Sequence, residues 1–181
     1  AAGAVAVSVL TDRIFFGGSF MDLSGVRSAF PDLPLLRKDF IIDPYQIHES
    51  SAYGADMVLL IAAVLEKHEV EELSGEARSL GLQVLLEVHE EDELDKVHEG
   101  IEYIGVNNRD LRTFRVDTGR SMELISLLPP GVVGVSESGI SQKEEIRKLA
   151  EAGFRLFLIG EKFMGQPDPG KACRTFIEQL Q

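Results

Sequence analysis

Tryptophan is absent from the sequence and cysteine occurs once, at Cys173, so no intramolecular disulfide can form and a reducing compartment is expected. Positive charge is scarce: 18 Lys and Arg stand against 30 Asp and Glu, a formal net charge of −12 at pH 7. Such a chain repels polyanions, and no stretch gathers Lys and Arg into a basic patch, so neither nucleic acid nor anionic membrane is an expected partner. Long apolar runs are lacking too. The longest, Met57 to Leu65, has nine residues, half of the ~20 that cross a bilayer. No Walker A loop, GxGxxG or GxSxG pattern occurs, which leaves nucleotide and triad chemistry without a carrier. His48, His68, His89 and His98 show no metal spacing, and with no second cysteine a zinc site is not expected. They are assigned to the surface or to helix packing, and Cys173 to apolar filling in the last helix.

What is present is enough for one folded domain: 181 residues, 44% of them hydrophobic, can bury a proper core. Short β-branched or leucine-rich runs alternate with segments of helical period. Strands are expected at Ala4–Val9, Pro34–Lys38, Met57–Ile61, Gln83–Val88, Tyr103–Asn107, Val132–Ser136 and Arg155–Ile159. Helices are expected at Phe20–Ala29, Pro44–Tyr53, His68–Leu80, Glu91–Glu99, Gly119–Leu127, Gln142–Ala152 and Gly170–Leu180. Gly54, Gly81, Gly100 and Gly153 mark helix ends, Asp43-Pro44 a helix start, and Ser141-Gln-Lys-Glu144 a capping box.

These βα units repeat at about 25 residues, the signature of a parallel sheet with crossover helices, either an open doubly wound sheet or an eight-stranded barrel. Strand contents favour the barrel. Alternation puts Leu36, Lys38 and Phe40 on one face, as it does Leu85 with Glu87, Gly105 with Asn107, and Val135 with Glu137. In each set the polar residue comes at the C-terminal end, where a barrel opens to solvent. Lys38, Glu87, Asn107 and Glu137 are therefore expected to converge at a barrel mouth. A lysine and two carboxylates there can do proton chemistry, with Lys38 as acid or electrostatic clamp and Glu87 as base. The bland alternatives are a solvated Arg37-Lys38-Asp39 charge run and an acidic first helical turn.

Two small-residue turns follow the last two strands, Ser136-Glu137-Ser138-Gly139 and Ile159-Gly160-Glu161. Barrels commonly hold a phosphate there, on backbone N–H groups that need close approach and hence glycine. A third glycine turn, Gly17-Gly18-Ser19, reads as an ordinary loop closed by a serine N-cap. Arg109, in Asn107-Asn108-Arg109-Asp110, fits either an anion bridge or a structural pair with a neighbouring acid.

Taken together, Val7-Ser-Val-Leu-Thr11, Phe16-Gly-Gly-Ser19, Leu35-Leu-Arg-Lys-Asp-Phe40, Ala55-Asp-Met-Val-Leu-Leu-Ile61, Leu86-Glu-Val-His89, Gly105-Val-Asn-Asn-Arg-Asp-Leu111, Glu137-Ser-Gly-Ile-Ser141 and Leu158-Ile-Gly160 strongly resemble the indole-3-glycerol phosphate synthase family. The resemblance implies a (βα)8 TIM barrel. Its reaction converts 1-(2-carboxyphenylamino)-1-deoxyribulose 5-phosphate to indole-3-glycerol phosphate in cytoplasmic tryptophan biosynthesis, with loss of carbon dioxide and water and no metal or organic cofactor. It makes Lys38 the general acid on the substrate's ketone oxygen and Glu87 the base of the later dehydration. Asn107 and Glu137 would position hydroxyls and developing charge, with Arg109 supporting the mouth. Ser138, Gly139, Gly160 and Glu161 would contribute backbone to the phosphate cradle, and Phe16, Phe40, Leu60, Leu111 and Ile159 would line the apolar pocket.

The resemblance has two departures. Glu161 stands where the family often has serine, and an acid beside a phosphate would repel it unless it points away. The family's first strand, with a lysine, a glutamate and a Pro-Ser loop, has no counterpart here. Ala1-Ala-Gly-Ala4 reads as an internal cut, so residues 1–181 are expected to form a single, N-terminally truncated TIM-barrel domain with strands 2–8 only. Its expected partner beyond the phosphorylated substrate is the missing N-terminal segment or another tryptophan-pathway domain. The competing readings are an inactive barrel fragment that needs that segment, and a different phosphate-binding barrel such as phosphoribosylanthranilate isomerase.

Overall fold

The computed structural model describes residues 2–110, 113 and 115–180. Seven strands follow one another in chain order within one sheet: β1 (Val7–Leu10), β2 (Leu35–Lys38), β3 (Met57–Ile61), β4 (Gln83–Val88), β5 (Tyr103–Asn107), β6 (Val133–Glu137) and β7 (Leu156–Leu158). Between and after them come α1 (Phe20–Ala29), α2 (Pro44–Ala52), α3 (Lys67–Ser79), α4 (Gly119–Leu124), α5 (Lys143–Ala152), α6 (Glu161–Met164) and α7 (Pro169–Glu178). The pairs β1–β2, β2–β3, β3–β4 and β6–β7 are parallel. This is the TIM-barrel class of fold with seven βα units in the chain.

The predicted elements form with ends shifted by up to three residues and a 3-10 turn added at Ala62–Val64, and they differ in three further respects. The helix expected over Glu91–Glu99 is a 3-10 segment, Glu91–Lys96, and the end of the one expected over Gly119–Leu127 tightens to 3-10 at Ile125–Leu127. The acids of Glu90 to Asp95 cannot supply an apolar stripe, so a longer helix there has nothing to bury. The third difference is the short helix α6, which the sequence reading leaves as a turn.

The chain divides into two compact units. The first, Val5–Glu87 with Glu93–Tyr103, carries β1 to β4. Its central strands are apolar runs because both faces are covered: Val58, Leu59, Leu60 and Ile61 are all buried, as are Val84, Leu85 and Leu86. Burying each such side chain stabilises the unit by about 1.5–3 kcal/mol. Helix α3 buries Val70, Leu73, Ser74 and Ala77, an i, i+3, i+4, i+7 stripe. Helix α2 starts as expected: Asp43 caps it, Pro44 takes its first turn, and the Gln46 side chain accepts the Asp43 N–H.

The second unit, Ala1–Ala4, Val88–Asp92 and Ile104–Gln181, carries β6, β7 and nearly all of β5. The capping box of α5 sits one residue later than expected. Gln142 is the N-cap, and Glu145 rather than Glu144 accepts the backbone N–H groups of Ser141 and Gln142, both at 2.8 Å. Helix α5 then faces inward through Ile146 and Leu149 and ends at Gly153, whose φ of 124° few side chains tolerate.

Candidate functional site

In the first unit, strand register decides which side chains share a face. Leu36 lies opposite Met57, Leu59 opposite Leu85 and Ile61 opposite Glu87, so Leu36, Lys38, Leu59, Ile61 and Glu87 belong to one face. On it the Lys38 Nζ lies 3.5 Å from Glu87 Oε2, with Lys38 about one-fifth exposed and Glu87 only 3% exposed. A carboxyl group buried that deep at a strand end needs a polar or cationic partner, and the Lys38 amine is beside it. The acidic-turn reading therefore applies to residues after His89 and not to Glu87.

Arg37 points the other way and corrects the solvated-run reading. Its guanidinium is 2% exposed. It donates to Thr11 Oγ1 at 2.9 Å, to the Gln46 carbonyl at 2.6 Å, to Ser50 Oγ at 2.9 Å and to Asp39 Oδ2 at 3.0 Å, and it lies over the Phe20 ring at 4.4 Å. Thr11 Oγ1 in turn donates to Asp39. The end of β2 is thus tied to the end of β1 and to both flanking helices. Alternation held the signal: an arginine one residue from an inward lysine faces the helices, where a charge must be paired.

Aromatic side chains gather next to this strand end. The Phe16 and Phe40 rings stack with centroids 6.1 Å apart, and Phe15 meets Phe40 edge-on at 5.7 Å. Phe15 and Phe16 are exposed. Leu60 departs from the expected set. It pairs in register with Leu86 on the helix-facing side, so Leu59 and Ile61 are the residues of β3 that share the Lys38 and Glu87 face.

In the second unit Glu137 is wholly buried at the end of β6, and Asn107, at the end of β5, accepts the Arg109 N–H at 3.0 Å on its Oδ1. The Arg109 guanidinium pairs with the largely exposed Glu161. That same pair answers the concern over Glu161, whose charge is matched by an arginine. Register gives Leu158, rather than Ile159, to the face of Glu137. Leu111 lies outside the described residues.

Ser138 has a φ of 66° and Gly139 a φ of 74°, two successive left-handed residues. For serine that conformation costs of order 1 kcal/mol or more and persists only when its surroundings impose it. A Cβ on Gly139 would lie 2.1 Å from Val116 Cγ1, so this position is both conformationally and sterically reserved for glycine. The residue that holds this turn, Asn108, was not singled out from the sequence. Of the four histidines, assigned to the surface or to helix packing, His89 is buried, His48 and His68 are exposed and His98 packs against α3. Among the described residues no cluster of His, Cys, Asp and Glu could hold a metal ion.

A model of the family "Indole-3-glycerol phosphate synthase" matches residues 1–176. The chain belongs to the indole-3-glycerol phosphate synthase family. A synthase of this name from Bacteroides thetaiotaomicron is 50% identical, over 100% of this chain and 69% of its own length. That from Salinibacter ruber is 48% identical over 93% of this chain and 63% of its own, and that from Chromobacterium violaceum 46% over 98% and 67%. The chain therefore spans about two thirds of these synthases. Among solved structures, KGPDC from Streptococcus mutans superposes with a TM-score of 0.71 at 14% identity, covering 96% of this chain and 84% of its own. A 3-keto-L-gulonate-6-phosphate decarboxylase from Vibrio cholerae gives 0.70 at 17%, covering 96% and 86%. At such identities these two speak for the fold alone. Membership in the synthase family makes the function that of a carboxy-lyase of tryptophan biosynthesis acting on a phosphorylated small molecule. No helix among the described residues is long and apolar enough to cross a membrane.

Proposed function

We propose that this chain carries the proton-transfer pair and part of the phosphate grip of indole-3-glycerol phosphate synthesis. The observation that supports this most directly is the Lys38–Glu87 pair, 3.5 Å apart on one sheet face at the C-terminal ends of their strands. The reaction needs an acid for a ketone oxygen and a base for a later dehydration, and an ammonium beside a carboxylate supplies both. Lys38 gives its proton to the ketone oxygen of 1-(2-carboxyphenylamino)-1-deoxyribulose 5-phosphate as the aromatic ring carbon attacks the ketone carbon. Carbon dioxide then leaves the ring position that carried the carboxylate, which restores aromaticity. In the dehydration Glu87 accepts the proton lost from the carbon beside the ring nitrogen, while Lys38, reprotonated from solvent, gives a proton to the departing hydroxyl so that it leaves as water.

Phe16 and Phe40 offer the stacked apolar surface that an anthranilate ring requires. Asn107 and Glu137 orient hydroxyls, and the Ser138–Gly139 turn, with Gly160 after β7, offers backbone to the phosphate. Arg109 has one terminal nitrogen on Glu161, and we assign it a supporting role. The setting we propose is cytoplasmic, and the rest of the synthase, as the longer relatives have it, is the partner on which activity depends.

The test uses the protein as its own gene encodes it. Lys38→Ala should cut turnover by about 10²–10⁴-fold with the circular-dichroism spectrum of the folded protein retained, and Glu87→Gln should cut it with Lys38 still present. Unchanged turnover in Lys38→Ala sinks the assignment. Product analysis separates this reading from an isomerase, because only the synthase releases carbon dioxide.

A further inference from the structure

Asn108 is the first residue beyond β5 and is 1% exposed. Its side chain is hydrogen-bonded at both its nitrogen and its oxygen within the second unit. The two N–H groups of Nδ2 face the Glu137 carbonyl at 2.9 Å and the Ser138 carbonyl at 3.1 Å, with Ser136 Oγ also 3.2 Å from Nδ2, while Oδ1 accepts the Ser121 N–H at 3.2 Å. Its backbone N–H also donates to the Glu137 carbonyl, at 2.9 Å. Ser121 Oγ and Ser136 Oγ are 2.8 Å apart, which closes the network under α4.

The geometry of those two carbonyl contacts is specific. The Glu137 carbonyl belongs to the peptide plane before Ser138, and the Ser138 carbonyl to the plane after it. Fixing both planes fixes the φ and ψ of Ser138, since these two angles are all that relate them. Ser138 is the one non-glycine residue with positive φ among those described. A serine left to itself would leave that region, so something must hold it there.

We propose that Asn108 is a positioning residue for phosphate binding: one buried amide clamps the two peptide planes around Ser138 and so presents the left-handed Ser138–Gly139 turn to the substrate phosphate. This rests on the reading of that turn as a phosphate cradle. The clamp requires a donor. Aspartate has the shape of asparagine and keeps the acceptor for the Ser121 N–H, but would set a carboxylate against the two carbonyl oxygens. The clamp also matters only while residue 138 resists the left-handed region. Glycine adopts it freely.

The measurement is inhibition by inorganic phosphate together with KM and kcat, in the protein as its own gene encodes it. Asn108→Ala should raise both KM and the inhibition constant for inorganic phosphate by about tenfold or more, with kcat changed by less than about threefold, because the clamp touches the grip and not the proton transfers. Asn108→Asp, which preserves side-chain volume, should do the same if the alanine variant does not fold. In a Ser138→Gly background the effect of Asn108→Ala should shrink severalfold. An unchanged phosphate constant in both Asn108 variants, or an effect of Asn108→Ala that is equal with and without Ser138→Gly, overturns the proposal. Gly139→Ala tests the cradle separately. If it leaves phosphate inhibition unaltered, the cradle reading fails. If it weakens phosphate while both Asn108 variants do not, the positioning role alone is lost.

Discussion

His98 illustrates how much of a residue's chemistry comes from its partners. The Gly100 N–H donates to its Nδ1 at 3.1 Å, which leaves Nε2 to carry the proton of the neutral ring and donate to Ser74 Oγ at 2.9 Å. Burial, and next the nearby Arg78 charge, hold its pKa below the ordinary 6.5, against the opposing pull of Glu71 and Glu99. A histidine whose pKa is held low takes up a proton more readily in the unfolded chain. Its contribution to stability is therefore complete above 6.5 and lost as pH falls from there through the folded value. Chemical denaturation at about pH 7.5 and about pH 5.5 should show a larger loss for the native sequence than for His98→Gln; equal losses would count against it. Arg37 makes the complementary point. Its neighbours Lys38 and Asp39 make the triplet look like a solvated surface, yet the guanidinium is sealed by Thr11, Gln46, Ser50 and Asp39.

At the scale of the element, helix starts were readable and their registers less so. Asp43-Pro44 begins α2 as its chemistry demands, because proline suits the first turn and aspartate accepts its free N–H groups. For α5 both Ser141 and Gln142 can open a box, and the choice fell to Gln142 because Glu145, not Glu144, turns back over the helix start. Burial pushes the Glu145 carboxyl up, but bonds from Ser141 and Gln142, with Lys162 nearby, outweigh it and hold the pKa low. The stabilisation is present above the ordinary value of 4.5 and is lost as pH falls through the lowered one. Glu145→Ala should destabilise by about 1 kcal/mol at neutral pH in a urea titration, whereas Glu144→Ala should cost distinctly less. Equal effects would return the box to the earlier register.

For the whole molecule, β1 and β7 end the strand order, so among the described residues each has a single sheet neighbour. Unpaired N–H and C=O groups on such edges favour association with other chains. The 181-residue chain expressed alone should show concentration-dependent light scattering, and a monodisperse, cooperatively folding sample would refute this. The net charge of −12 opposes association at neutral pH but not near the sequence pI of 4.8.

Alternating βα periodicity, both helix caps at Asp43 and Ser19, and the polar ends of β2, β4, β5 and β6 were all legible from residue order, because period and capping are local properties. So was the family, whose motifs lie in short contiguous runs. Which face each side chain takes across strands was not, since that depends on register. Register separated Leu60 from Leu59 and Ile61 and made Leu158 the partner of Glu137. Only tertiary structure could turn Arg37 into a tie between β2, α2 and the end of β1, bring Glu161 to Arg109, or set Asn108 across Ser138. Each of those contacts joins residues far apart in the chain, and a lone sequence carries no distance between them.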